Sequence, residues 1–72
     1  MALFVGGLTI DCRTRDLEDV FARYGRLTRC EVKRGGYGFI EFSEARDAED
    51  ALRACDGIKL PSGERIRVEW AK

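Results

Sequence analysis

Two segments, Leu3-Phe4-Val5-Gly6-Gly7-Leu8 and Gly36-Tyr37-Gly38-Phe39-Ile40-Glu41-Phe42, constrain this chain most. Each has the composition of a β-strand, and each is apolar on both of its faces. Side chains of a strand point alternately to opposite sides, so Phe4, Tyr37 and Phe39 share one face while Leu3, Val5, Ile40 and Phe42 share the other. A strand of this kind must be covered twice, or its second face must be there to hold something else. With 72 residues the chain forms one domain with one core, and a domain of that size buries only about 60% of its unfolded surface. Little material is left to cover a second face.

The remaining elements follow from periodicity. Thr14 is a candidate cap for a helix with an acidic first turn, and Leu17, Val20, Phe21 and Tyr24 fall at i, i+3, i+4, i+7, with Gly25 as its stop. Leu27 to Lys33 reads as a second strand with Cys30 and Val32 inward, and Gly35-Gly36 turns it back into the Tyr37 to Phe42 strand as a hairpin. Ser43 opens a second helix, with Ala48, Ala51, Leu52 and Cys55 on one stripe and Gly57 as its stop. A Pro61-Ser62-Gly63 turn then leads to a last strand with Ile66 and Val68 inward.

The order strand, helix, strand, strand, helix, strand belongs to the α+β class, in the ferredoxin-like βαββαβ arrangement. Its crossovers are right-handed, which sets both helices on one side of a four-stranded antiparallel sheet. Each helix has a single apolar stripe and so serves one sheet face. Phe4, Tyr37 and Phe39 are therefore expected together on the open face.

Composition narrows the function. Apolar residues make up 44% and charged residues 36%, as in ordinary globular domains. No apolar run reaches the ~20 residues of a membrane span and no signal-peptide pattern is visible, so a soluble, intracellular domain without membrane contact is expected. The three cysteines are odd in number and irregularly spaced, and there is no histidine. No zinc site or other metal or cofactor site is expected, and a reducing compartment fits. Cys30 and Cys55 read as small core residues and Cys12 as an exposed loop thiol. Without histidine no Cys/His or Ser/His nucleophile pair can form, and no carboxylate pair has a catalytic spacing, so an enzyme is not expected.

Net charge is zero, with thirteen basic and thirteen acidic residues. The helical segments hold four of the basic residues (Arg15, Arg23, Arg46, Arg53) and eight of the acidic ones (Asp16, Glu18, Asp19, Glu44, Asp47, Glu49, Asp50, Asp56), leaving nine basic against five acidic elsewhere. Exposed aromatic rings on adjacent strands suit unstacked bases. At about 1–3 kcal/mol per stacked base, three rings could supply roughly 3–9 kcal/mol before non-additivity. Micromolar binding requires about 8 kcal/mol. Arg29, Lys33 and Arg67 share the parity of the rings, with Arg34 beside the turn, as candidate phosphate or base contacts; Glu31, Glu41 and Glu69 share that face and dilute their field.

The two opening segments resemble the paired ribonucleoprotein motifs of the RNA recognition motif (RRM) family, whose longer motif runs K/R-G-F/Y-G/A-F-V-x-F/Y. Gly36, Tyr37, Gly38, Phe39 and Phe42 match it, with Ile40 a conservative replacement and Gly35 where a basic residue is usual. The shorter motif matches at Leu3, Phe4, Val5 and Leu8, with Gly7 in place of the usual asparagine. The Tyr37 to Phe42 strand, the Arg46-Asp47-Ala48-Glu49-Asp50-Ala51 helix and the Val68-Glu69 ending are similar to the first RRM of serine/arginine-rich (SR) splicing factors.

The resemblance spans residues 1–72 as a single RRM and implies one domain of a longer protein, a monomer in isolation, binding single-stranded pre-mRNA. It implies that Phe4 and Tyr37 stack on successive bases, that Phe39 packs against a sugar pair, and that Glu69 to Lys72 meet bases, bringing in Glu69, Trp70 and Lys72. Trp70 has core-side parity and divides between closing the core edge and joining the platform. The expected setting is mRNA splicing in a nuclear ribonucleoprotein, with possible shuttling to the cytoplasm, and the acidic helices are a candidate contact for splicing proteins. The alternative is a protein-protein interaction module in a ribonucleoprotein complex. In that variant an Arg-x-Phe loop captures a partner tryptophan, and the nearest segment here reads Arg65-Ile66-Arg67.

Overall fold

A computed structural model describes residues 1–61 and 63–71. The elements run β1 (Ala2–Gly6), α1 (Thr14–Phe21), a 3₁₀ turn (Ala22–Tyr24), β2 (Leu27–Lys33), β3 (Tyr37–Phe42), α2 (Ala45–Cys55) and β4 (Arg67–Trp70). The strands form one sheet in the order β2-β3-β1-β4, all neighbours antiparallel. This is the expected four-stranded sheet with two helices.

Alternation along β1 and β3 divides the sheet into two faces. Leu3, Val5 and Ile40 are fully buried and Phe42 nearly so, under the stripes Leu17/Phe21 of α1 and Ala48/Ala51/Cys55 of α2. Leu8, Leu60, Ile66 and Val68 close the rim of this core. Among the described residues no polar or charged residue is buried.

Gly38 lies on the core side of β3 under α1. A Cβ there would come within 2.7 Å of the Glu31 carbonyl oxygen and 2.9 Å of Leu17 Cδ1, so the helix sits where only hydrogen leaves room. The β2-β3 turn needs glycine for a different reason: Gly35 and Gly36 have φ of 101° and 85°, in the left-handed region that L side chains rarely adopt.

Several local expectations shift. The cap of α1 is Arg13 rather than Thr14, and its N–H donates to Asp16 Oδ2 at 2.9 Å. Glu44, not Ser43, caps α2. The cap of α1 lies one position earlier than expected and that of α2 one position later, shifts within the usual uncertainty of helix ends. The chain between α2 and β4 is more ordered than a simple turn. Ile66 N–H donates to Ile58 O, Leu60 N–H donates to Glu64 O, and Lys59 bridges Arg65, forming a small hairpin; Ser62, of the expected turn, lies outside the described residues.

Cys12 corrects the expectation of an exposed thiol. It is 5% exposed, because the β1-α1 loop turns on itself (Cys12 N–H to Thr9 O, 3.1 Å) and carries the side chain into the core. Cys55 is buried and Cys30 half-buried, on the edge strand beneath α1. Burial pushes the Cys30 thiol up to about 11 and also raises the thiols of Cys12 and Cys55.

Candidate nucleic-acid interface

On the face away from the helices, register brings the aromatic residues together. Phe4 pairs directly with Phe39, and Gly6, which has no side chain to intervene, pairs with Tyr37. Phe4 and Tyr37 lie with ring centroids 5.5 Å apart and planes 24° from parallel. Phe39 stands edge-on to both, at 5.9 Å and 76° from Phe4 and at 6.1 Å and 84° from Tyr37. The three rings thus comprise two near-parallel surfaces and one perpendicular ring. Each is half-buried, by the other rings and the strand backbone rather than by the core.

The expected cations divide into three situations. Arg29 and Lys33 lie on the open face of β2, where Arg29 is opposite Glu41, Glu31 opposite Phe39 and Lys33 opposite Tyr37. Both are held by one carboxylate: Arg29 Nε is 3.2 Å from Glu31 Oε1 and Lys33 Nζ is 3.0 Å from Glu31 Oε2. The hydrogen bond from Lys33 is the main influence holding the Glu31 carboxyl below its ordinary range, reinforced by the Arg29 charge and opposed by partial desolvation. A hollow of about 200 Å³ beside Phe39 is lined by these three side chains, Glu41 and Ala2. Arg34 is exposed at the β2-β3 turn, in none of the ion pairs among the described residues.

Arg67 is opposite Gly6 on β4, yet its Nε binds Asp56 Oδ1 at 3.0 Å. The same oxygen accepts the Val68 N–H at 3.0 Å, a donor on the free edge of the sheet. That backbone hydrogen bond is the main reason the Asp56 carboxyl lies below its ordinary range, and Arg67 adds to it. Asp56 therefore draws Arg67 to the sheet edge while it covers an unpaired strand donor. Sequence patterning placed Asp56 only among the acidic helix residues; its position immediately after α2, level with β4, gives it this role.

At the end of β4, Glu69 is exposed opposite Phe4, beside the aromatic group. Trp70 is opposite Leu3 and so falls on the helix side of the sheet, 41% exposed at its margin, away from Phe4, Tyr37 and Phe39. Lys72 lies outside the described residues. Of the expected site residues, the fold groups Phe4, Tyr37, Phe39, Arg29, Lys33 and Glu69, leaves Arg34 at the turn, draws Arg67 to the edge and places Trp70 on the other face.

The fold and the paired aromatic strands have a counterpart in known proteins. The family model for the RNA recognition motif matches residues 3–67, and the chain belongs to that family. It is 44% identical, over 97% of its length, to the probable splicing factor, arginine/serine-rich 3, of Caenorhabditis elegans, of which it covers 28%. It is likewise 44% identical, over 97% of its length, to serine/arginine-rich splicing factor RS31A of Arabidopsis thaliana, again covering 28%. Among solved structures, an Sxl-lethal protein/RNA complex matches with a TM-score of 0.92 at 27% identity, covering 99% of this chain and 46% of that one. The chain thus spans under a third of the length of these two curated relatives.

Proposed function

We propose that this domain binds single-stranded RNA on its open face, with Phe4 and Tyr37 stacking on successive bases and Phe39 packing edge-on against the sugars between them. The observation that carries this reading is the ring geometry, two near-parallel aromatic surfaces beside one perpendicular ring, on a sheet face that neither helix covers. Two stacked bases contribute roughly 2–6 kcal/mol, against the about 8 kcal/mol of micromolar binding. The remainder falls to hydrogen bonds and phosphate contacts by Arg29, Lys33, Arg34, Arg67 and the Glu69 to Lys72 end. By its likeness to SR splicing factors, the domain works in nuclear pre-mRNA splicing as one part of a longer protein. The protein-binding alternative finds less support, because position 67, where the Arg-x-Phe loop carries its ring, holds an arginine, and its guanidinium is engaged by Asp56.

The test is titration with a short randomised single-stranded RNA while amide shifts are recorded by NMR. Shifts centred on Phe4, Tyr37 and Phe39, and a loss of about 1–3 kcal/mol for Phe4→Ala or Tyr37→Ala, are expected. A sheet that stays silent while the helices respond would sink the proposal.

A further inference from the structure

The row Arg29-x-Glu31-x-Lys33 alternates in charge on one face of an edge strand, and residues two apart on a strand are about 6.5–7 Å from one another. A carboxylate at the middle position can reach both neighbours, and Glu31 binds one with each oxygen. The pairing lies directly opposite Phe39 and Tyr37, where the backbone of an RNA stacked on the rings would find its nearest cations on β2. We infer that Glu31 is an internal counter-ion that competes with RNA phosphate for Arg29 and Lys33, so that binding on the aromatic face exchanges these two ion pairs for phosphate contacts. The inference rests on the RNA-binding reading above and adds a positioning residue to it.

Three observations favour exchange over a permanent structural bridge. The Arg29, Glu31 and Lys33 side chains retain 62%, 34% and 43% of their exposure, so the pairs are solvated and weak enough for a phosphate to displace. The hollow beside Phe39 brings both cations and the ring to one opening. Glu41, on the same face opposite Arg29, forms no ion pair among the described residues and instead accepts from Thr28 Oγ1 at 3.2 Å. Of these two carboxylates bordering the hollow, Glu31 alone engages the cations, which supplies a matched control.

The experiment measures the affinity of the domain for a short randomised single-stranded RNA across a salt series, for the wild type, Glu31→Gln, Glu41→Gln, and Glu31→Gln in an Arg29→Ala/Lys33→Ala background. Glu31→Gln should bind about 2- to 10-fold tighter. Because this variant and the wild type make the same phosphate contacts once RNA is bound, its salt slope should stay within about 0.7 log unit per decade, the value of one contact, of the wild-type slope. Glu41→Gln removes the same charge from the same face and should tighten binding less, with the wild-type slope. In the double-alanine background the gain from Glu31→Gln should vanish. Tightening by Glu41→Gln equal to that by Glu31→Gln, a slope for Glu31→Gln steeper by about 1.4 log units per decade, weaker binding by Glu31→Gln, or a gain that survives loss of both cations would each overturn the inference. Phe4→Ala, measured alongside, separates the two readings: undiminished binding there counts against the aromatic platform, whatever Glu31→Gln does.

Discussion

The two faces of the sheet are built from the same strands and differ in what touches them. On the helix side, Leu3, Val5 and Ile40 are sealed by α1 and α2 to zero exposure, and a glycine at position 38 lets Leu17 approach the backbone. On the other side, Phe4, Tyr37 and Phe39 touch one another and remain half-exposed. Rings of such size would suit a core. Their lack of a covering element shows that position in the pleat, rather than hydrophobicity, separates folding residues from residues available to a ligand.

Substitutions on each face can break this contrast. Ile40→Ala empties a fully enclosed site and should cost about 2–5 kcal/mol in a denaturant melt, with RNA affinity per folded molecule little changed. A cost comparable to that of an open-face ring would erase the distinction. Gly38→Ala on the same strand should lose about 1–3 kcal/mol by overpacking against Leu17 and the Glu31 carbonyl; a neutral outcome would mean α1 can move away freely. Phe4→Ala should lower stability by about 0.5–1.5 kcal/mol through the lost ring contacts, well below the effect of Ile40→Ala and accompanied by the loss of RNA affinity stated above.

The smallest effect belongs to the sheet margin. Asp56 has a folded-state value below its unfolded one, which is about 3.9. Its contribution is therefore fully present above that pH and disappears as pH falls through the lowered folded value. Amide exchange at Val68 should accelerate below about pH 4 relative to Val5, its partner within the sheet. Asp56→Asn should shift that acid dependence, and an unaltered profile would show that another group governs the edge.

Much of this was legible in the chain. Period-2 alternation in β1 and β3, the apolar stripes at helical spacing and the glycine turns gave the element order, the layering and the aromatic grouping, because each depends on neighbours a few residues away. Cys12 was misread because parity has no meaning in a loop; only the Thr9 turn and the core beneath it bury the thiol. The hairpin around Leu60 and Glu64 escaped notice because its pairing is irregular and short.

The candidate site divides in the same way. The sequence by itself determined which rings share a face and that two single-striped helices leave that face open, since backbone alternation and helical period are local properties. Only the tertiary structure decided how the rings are tilted, that Arg67 turns to Asp56 across 11 residues of chain, that Trp70 falls behind the sheet, and that Glu31 holds both β2 cations. Register and side-chain direction arise when distant segments pack, and an ion pair forms with whichever partner that packing brings within reach.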